Sequence, residues 1–213
     1  MNYLTVTKER SLYNLNLYST TAETQNVLCK IPANAKFYVI GEEEGYKMVV
    51  YDGYCGYVPS KYGAATETYC VLNSVTTQGG TGNRSINIRL ACSKLTGTVV
   101  GKNTQFSWFT SHGQCLSSNG YVNAPVFTST GTTQGIGGGV CQVASTINIV
   151  AKRIGIETNA EKHLYPVSYC NRIDEATVTY PIQNFTFTNK IGKQITMLLY
   201  QTQPGSCTVI FLG

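Results

Sequence analysis

The residues with the clearest chemical potential form a glycine-rich segment that ends in a cysteine. Residues 135–146 read GIGGGVCQVAST, so four glycines in five positions precede Cys141. Glycine permits positive φ angles, and the apolar spacing that follows predicts that Cys141 lies in the first turn of a helix. A thiol there faces unpaired N–H groups and the positive end of the helix dipole, which favour its thiolate. We therefore predict a nucleophilic cysteine.

The same segment offers donors for a developing negative charge. The loop residues Gly137, Gly138 and Gly139, with Gln142 just beyond the cysteine, are candidates for an oxyanion hole. Two other interpretations stay open. A phosphate-binding loop is disfavoured because neither a Lys-Ser/Thr pair nor the G-x-G-x-x-G spacing is present. Alternatively, Cys141 is a small packed residue at the start of a helix.

A nucleophilic thiol needs a base, and the chain contains two histidines, His112 and His163. His163 lies in an extended segment just after the predicted Cys141 helix. A helix of about 14 residues spans about 20 Å, so the following segment can return the chain to the start of that helix. His112 lies in a polar loop, where we expect a solvated or loop-capping histidine. We therefore predict His163 as the base.

An imidazole base is commonly oriented by a third group, and two carboxylates follow His163 in the sequence. Asp174 and Glu175 lie 11 and 12 residues further on, and either side chain could accept a hydrogen bond from the imidazole. A structural salt bridge with Arg172 is an equal competitor for these carboxylates. Glu175 is the candidate that we carry forward as a catalytic residue.

The elements around these residues predict an α+β region. Apolar residues at helical spacing predict a helix over 85–95 and a second over 140–154, which Gly155 ends. From Ala176 onward the sequence alternates (ATVTY, NFTFT, QITMLLY, CTVIF), which is typical of strands. Two helices packed on a mostly antiparallel sheet are the expected architecture.

The first sixty residues predict a small all-β barrel. Short β-rich runs, separated by turns, cover 11–18, 36–40, 46–51 and 54–58. The small polar residues at 63–68 have the composition of a linker. We therefore predict a boundary near residue 65, with one domain at 1–65 and a second at 66–213.

Composition excludes several classes of protein. The chain has 42% hydrophobic but only 13% charged residues, and its net charge of +5 suits an anionic polymer such as a cell wall. No basic run with interleaved aromatics indicates a nucleic-acid partner, and no apolar stretch or leader indicates a membrane span or export signal. The eight cysteines are spaced too widely for C-x-x-C motifs, so we expect no metal or cofactor. They allow disulfides, although we expect most to be buried as small hydrophobic residues.

Residues 4–62 resemble a bacterial SH3-like domain. The segments that carry the resemblance are LNLYS at 15–19, IPANA at 31–35 and GYCGYVPSKY at 53–62. The resemblance implies a non-catalytic domain that binds peptidoglycan stems or bridges. Tyr18, Tyr54 and Tyr57 are candidates for the binding groove, and a place in the barrel core or rim is the alternative for each.

Residues from about 83 to 199 resemble a VanW-type domain, whose hallmark block G-x-G-G-G-[IV]-C-Q-[VI]-[SA]-S-T is matched at 135–146. Further matches are NR at 83–84, NIRLA at 87–91, H-x-x-PVSY at 163–169 and ATV at 176–178. The resemblance implies an extracellular, cell-wall location and peptidoglycan chemistry, including L,D-transpeptidases that use the motif cysteine. Two departures stand out. Glu175 replaces the Asp common in the family, and residues 113–115 (GQC) replace Gly-Pro-Arg, which removes an arginine suited to a stem carboxylate.

The resemblance implies a transpeptidase that joins the third residues of two stem peptides through a thioester on Cys141. Arg84, Asn87, Ser145 and Tyr165 are candidates for binding the stem peptide. Water in place of the amine acceptor would make the protein a carboxypeptidase. A cysteine endopeptidase or amidase and a non-catalytic wall-binding protein are the alternatives, and the oligomeric state stays open.

Overall fold

The protein is described from a computed structural model that covers residues 5–22, 26–128 and 131–213. The predicted α+β class is confirmed, because helices pack on a large antiparallel sheet in this part of the chain. The helices are α1 (Asn83–Leu95), α2 (Trp108–Ser111) and α3 (Val140–Arg153), with 3₁₀ turns at Ser60–Tyr62, Ser117–Asn119 and Arg172–Asp174.

The strands follow the predicted runs closely in most places. They are β1 (Thr5–Ser11), β2 (Leu15–Tyr18), β3 (Val27–Ile31), β4 (Lys36–Glu43), β5 (Tyr46–Tyr51), β6 (Tyr54–Pro59), β7 (Gly63–Gln78), β8 (Val99–Val100), β9 (Gln105–Ser107), β10 (Asn123–Thr128), β11 (Gly131–Ile136), β12 (Thr186–Thr188), β13 (Ile195–Tyr200) and β14 (Ser206–Leu212). The alternating run at 176–180 forms no regular strand; only Thr179 makes a single bridge, to Gln183.

One long strand joins the two halves of the chain. The main sheet has the order β3-β2-β6-β5-β4-β1-β7-β14-β13-β8 over the described residues, and β7 pairs with β1 through its first half and with β14 through its second. The prediction of a linker at 63–68 is therefore wrong, because these residues belong to β7. The domain boundary near residue 65 and the SH3-like character of the N-terminal strands stay predictions.

Helices α1 and α3 cover one face of the C-terminal strands. The predicted stripe of α1 is fully buried, and α3 is buried on nearly all sides. Every residue of β13 and β14 is buried, because the two faces of these strands contact different clusters. Met197 and Phe211 pack under the helices, whereas Leu198 and Ile210 pack with the apolar side chains of β1, β4 and β5. The N-terminal strands are thus tied to the C-terminal region by a shared core.

Candidate active site

The glycine loop turns the chain from β11 into α3 and brings Cys141 to the first turn of that helix. Gly137 and Gly139 have φ angles of 85° and 114°, which L side chains rarely adopt. Gly137 is also confined by its neighbour, since a Cβ added there would lie 2.6 Å from both Cβ and Sγ of Cys115. The loop conformation therefore depends on glycine at these positions, and it sets where the thiol lies.

A cavity of about 410 Å³ opens beside this loop. Its walls are the hairpin β10–β11, residues 113–115, the segment 177–180 and the loop itself. Cys141, His163, Tyr169 and Arg84 are among the residues with polar or ionisable groups that line it. The structure therefore brings the predicted thiol and imidazole to one cavity although they are 22 residues apart in sequence.

Glu175 is the carboxylate that contacts the imidazole. Its Oε2 lies 3.2 Å from Nδ1 of His163 and accepts a hydrogen bond from the His163 backbone N–H at 2.9 Å. The same oxygen accepts a bond from Arg172 at 2.7 Å, so the predicted orienter and the competing salt bridge coexist on one carboxylate. Asp174 is not an orienter, because it pairs instead with Lys152 at 3.0 Å.

Burial keeps both the thiol and the imidazole in their neutral forms. Burial raises the pKa of Cys141, and this effect outweighs the opposing influence of the Val178 backbone, Arg84 and its own amide. The amide at the helix start favours the thiolate as predicted, but burial outweighs it, so the resting group is a thiol. Burial likewise lowers the pKa of His163, although the Glu175 charge opposes this shift. At neutral pH the pair is a thiol and a neutral imidazole.

Tyr169 is a polar residue of the cavity that the sequence reasoning missed. Its hydroxyl lies 3.3 Å from Nε2 of His163, and the two rings meet edge to face with centroids 6.2 Å apart. Among the described residues, no hydrogen bond joins Cys141 directly to His163; the thiol donates instead to the Val178 carbonyl at 3.6 Å. The H-x-x-PVSY segment was visible in the sequence, but nothing in its spacing indicated a contact between its first and last residues.

Arg84 is the predicted stem-binding residue that the structure brings to the cavity. One guanidinium N–H donates to the Pro125 carbonyl at 2.9 Å, which holds the side chain against the hairpin. Its positive charge lowers the pKa of Cys141, His163 and Tyr169, so all three lie within its electrostatic reach. Among the described residues that line the cavity, Arg84 is the one with a permanent charge.

Other predicted site residues lie outside the cavity. Asn87 is fully buried and bonds the Val122 backbone and the Gly138 carbonyl, so it anchors the glycine loop. Gln142 is also fully buried and donates to Thr77 and Gly205, which fixes α3 to the sheet.

Two further predicted residues also do not line the cavity. Ser145 is fully buried and its hydroxyl exchanges hydrogen bonds with the Ala176 backbone, so it holds the chain after Glu175 against α3. Tyr165 is 46% exposed and lies outside the cavity wall.

His112 is buried, not solvated. It is 1% exposed, stacks on Trp108, and its Nε2 lies 2.7 Å from the Tyr121 hydroxyl. Burial lowers the pKa of His112 to about 4, which keeps the ring neutral. It is therefore a core residue of the C-terminal region.

The cysteines are free thiols, and only Cys92 and Cys207 are buried. The expectation that most would be buried is wrong, since five are partly exposed and Cys70 is exposed. No group of three His, Cys, Asp or Glu side chains in the described ranges has the arrangement of a metal site.

The three tyrosines predicted for the N-terminal groove do not share one surface. Tyr18 lines a groove of about 480 Å³ with Tyr13, Pro59 and Tyr62. Tyr54 lies instead under the guanidinium of Arg89, 4.7 Å from its ring centroid. Tyr54 and Arg89 line a second cavity, and Tyr57 lines neither this cavity nor the groove beside Tyr18.

Comparison with known proteins identifies the family of the chain. Residues 83–211 match the family model described as VanW like protein, and the chain belongs to this cell-wall-associated family. A segment of 114 residues is 32% identical to YoaR of Bacillus subtilis (strain 168), a protein described as uncharacterized. The match covers 53% of this chain and 38% of that protein. No solved structure matches the chain. No helix of the described residues has the length and apolar character needed to cross a membrane.

Proposed function

We propose that the protein is a cysteine acyltransferase of the cell wall, an L,D-transpeptidase that joins the third residues of two peptidoglycan stem peptides. The observation that carries the proposal is the cavity in which Cys141, at the start of α3, faces the same space as the His163–Glu175 pair. A nucleophile, an imidazole base and a carboxylate that orients the imidazole are the parts that acyl transfer through a thiol requires.

The acylation step follows from these groups. The thiol loses its proton to His163, whose Nδ1–H is held by Glu175, and the sulfur attacks the carbonyl of the third residue of a tetrapeptide stem. The resulting oxyanion is held by N–H groups at the start of α3. Gly137 and Gly138 already donate to the Val122 and Gly135 carbonyls, so this role falls to the N–H groups of Gly139 and Cys141. The proton on His163 then passes to the departing D-alanine, which leaves a thioester on Cys141.

Arg84 supports a donor that ends in a free carboxylate. A permanent positive charge without an acidic neighbour among the described lining residues attracts an anion into the cavity. The terminal D-alanine of a tetrapeptide stem carries such a carboxylate next to the bond that breaks. An endopeptidase or amidase, by contrast, cleaves bonds that have no adjacent terminal carboxylate, so Arg84 favours the transferase over these alternatives.

The acceptor is the side-chain amine of the third residue of a second stem. Buried, neutral surroundings suit this step because an amine attacks only when it is unprotonated. Water in the same position would release the stem and make the protein a carboxypeptidase. On this proposal residues 66–213 form the catalytic domain in the cell wall, and residues 1–65 form an SH3-like domain that binds peptidoglycan through the groove beside Tyr18.

The experiment is intact-protein mass spectrometry after incubation with disaccharide-tetrapeptide fragments, followed by analysis of the products. We expect a mass increase equal to the fragment minus D-alanine in the wild type and in Cys70→Ser, a matched control at the exposed cysteine. Cys141→Ser should show neither the adduct nor cross-linked dimers. Cleaved products without dimers would support a hydrolase, and fragments that bind without reacting would support a wall-binding protein.

The role of Arg84 is tested with a donor whose terminal carboxylate is replaced by an amide. Wild-type acylation should fall with the amide donor, whereas Arg84→Gln should react slowly with both donors and discriminate little between them. Equal wild-type rates for the two donors would contradict the carboxylate role.

A further inference from the structure

The imidazole that is predicted as the base does not contact the thiol. Nδ1 of His163 faces the Glu175 carboxylate, so the proton lies on Nδ1 and Nε2 carries the lone pair. The group that faces this lone pair at 3.3 Å is the Tyr169 hydroxyl, which therefore donates to it. The position in which a general base would receive the thiol proton is occupied by a tyrosine.

Tyr169 also interacts electrostatically with the thiol. It lines the cavity with Cys141, and its hydroxyl lies near that of Ser145, which is one turn beyond Cys141 on the same face of α3. Burial raises the pKa of Tyr169, and negative charge on Cys141 raises it further, so the tyrosine keeps its proton at neutral pH. Its O–H donates toward His163, and its oxygen keeps a lone pair for a proton from the sulfur, which in this structure is turned toward the Val178 carbonyl.

We propose that the Tyr169 hydroxyl relays the thiol proton from Cys141 to Nε2 of His163. The inference rests on the proposed function, in which Cys141 is the nucleophile. The S–H bond breaks and its proton joins the tyrosine oxygen while the original O–H proton moves to Nε2. The products are a thiolate, a neutral tyrosine and an imidazolium that faces Glu175. The reverse transfer delivers the proton toward the leaving amine.

The charged and titratable groups around this relay favour separated charges at its two ends. Arg84 faces the thiol, the imidazole and the tyrosine, and stabilises a thiolate. Glu175 stabilises the imidazolium, and Arg172 beside it limits that effect. Cys170 is the remaining titratable neighbour of the tyrosine, and burial raises its pKa to about 11, so it stays neutral.

The test measures how fast iodoacetamide alkylates Cys141, resolved by peptide mass spectrometry, from pH 6 to pH 10. Exposed Cys70 gives an internal reference rate in every sample. Tyr169→Phe keeps the ring and removes the hydroxyl. The matched control is Tyr121→Phe, which removes the same kind of bond to a histidine, Tyr121 to His112 at 2.7 Å, away from the cavity.

We expect Tyr169→Phe to lower the neutral-pH rate at Cys141 by about a hundredfold, the lower end of general-base contributions, and to leave a rate that rises with hydroxide. His163→Gln should have a similar effect. The double variant Tyr169→Phe/His163→Gln should be no slower than either single variant, because each single change already breaks the same proton-transfer path. Tyr121→Phe should leave the rate unchanged. Unfolding midpoints of all variants show that each is folded.

An unchanged rate in Tyr169→Phe would overturn the relay, and so would a faster one, since the tyrosine would then merely block the imidazole. Additive losses in the double variant would also overturn it. Failure of the proposed function gives a different result. In that case Cys141 is alkylated no faster in the wild type than in His163→Gln, which would show that His163 does not activate the thiol.

Discussion

The shape of the glycine loop is tested most directly by Gly137→Ala. An alanine at a φ of 85° costs about 1–2 kcal/mol because its Cβ approaches the backbone oxygen. Its Cβ would also lie 2.6 Å from Cβ and Sγ of Cys115, and such overpacking typically costs about 1–3 kcal/mol more. We therefore expect the free energy of unfolding to fall by about 2–5 kcal/mol.

The matched control is Gly45→Ala. Gly45 has nearly the same φ angle, 83°, but a Cβ added there meets nothing within 4 Å. It should lose only the backbone contribution, about 1–2 kcal/mol. Urea unfolding at 25 °C measures both variants, and the difference between them isolates the contact with Cys115.

A rescue variant makes the argument stricter. Cys115→Gly removes both atoms that the new Cβ would meet. Gly137→Ala should therefore cost much less stability when it is introduced into Cys115→Gly than when it is introduced into the wild type. The reasoning is refuted if Gly137→Ala costs no more than Gly45→Ala, or if the double variant recovers nothing. Slower alkylation of Cys141 in Gly137→Ala would link the loop shape to the thiol.

Three further results are expected. Asn87→Ala removes three hydrogen bonds to the backbone: the Gly138 carbonyl and the Val122 N–H lose their partner, whereas the Val122 carbonyl keeps the Gly137 N–H. The change should cost about 3 kcal/mol in urea unfolding. A normal stability with weaker substrate binding would instead support the stem-binding role. Burial lowers the pKa of His112 from 6.5 to about 4, so its stabilising contribution is complete above pH 6.5 and is lost toward pH 4. In urea unfolding at a series of pH values, the stability advantage of the wild type over His112→Gln should shrink by about 3 kcal/mol between pH 7 and pH 4. Glu175→Gln removes the charge that raises the pKa of His163, so an NMR titration should find that pKa lower still and alkylation of Cys141 should slow about tenfold or more; an unmoved imidazole pKa would contradict the contact.

Local patterns predicted the elements that are stabilised locally. The spacing of apolar residues in α1 and α3 predicted both helices to within two residues at each end, because each presents a continuous apolar stripe to the sheet. The stretch 63–68 looked like a linker because it is small and polar. It is nevertheless a strand, since its partner β1 lies more than fifty residues earlier and supplies hydrogen bonds that local composition does not encode.

The same distinction applies to the site. The glycine loop is a local signal, so the position of Cys141 at the start of α3 was predictable. The contact of Tyr169 with His163 depends on how an irregular segment folds back on itself, and no periodicity reports that. The sequence predicts that Asn87 and Ser145 bind the stem peptide, but the Asn87 side chain is hydrogen-bonded to the backbone of the loop and the Ser145 side chain to the backbone of residue 176. Residues of a motif can thus build a site without facing it.

The ionisation state of the pair follows from tertiary burial and not from the helix start. A helix N-terminus stabilises a thiolate by a modest amount within its first turn, whereas burial penalises every isolated charge. Burial raises the pKa of Cys141 and lowers the pKa of His163, so both shifts favour the neutral pair. The thiolate that attacks the substrate is therefore formed by proton transfer within the site and is not the resting state of Cys141. A cavity that keeps its own nucleophile neutral also suits an amine acceptor, which likewise reacts only without its proton, and this links the resting state of the thiol to the proposed choice of acceptor.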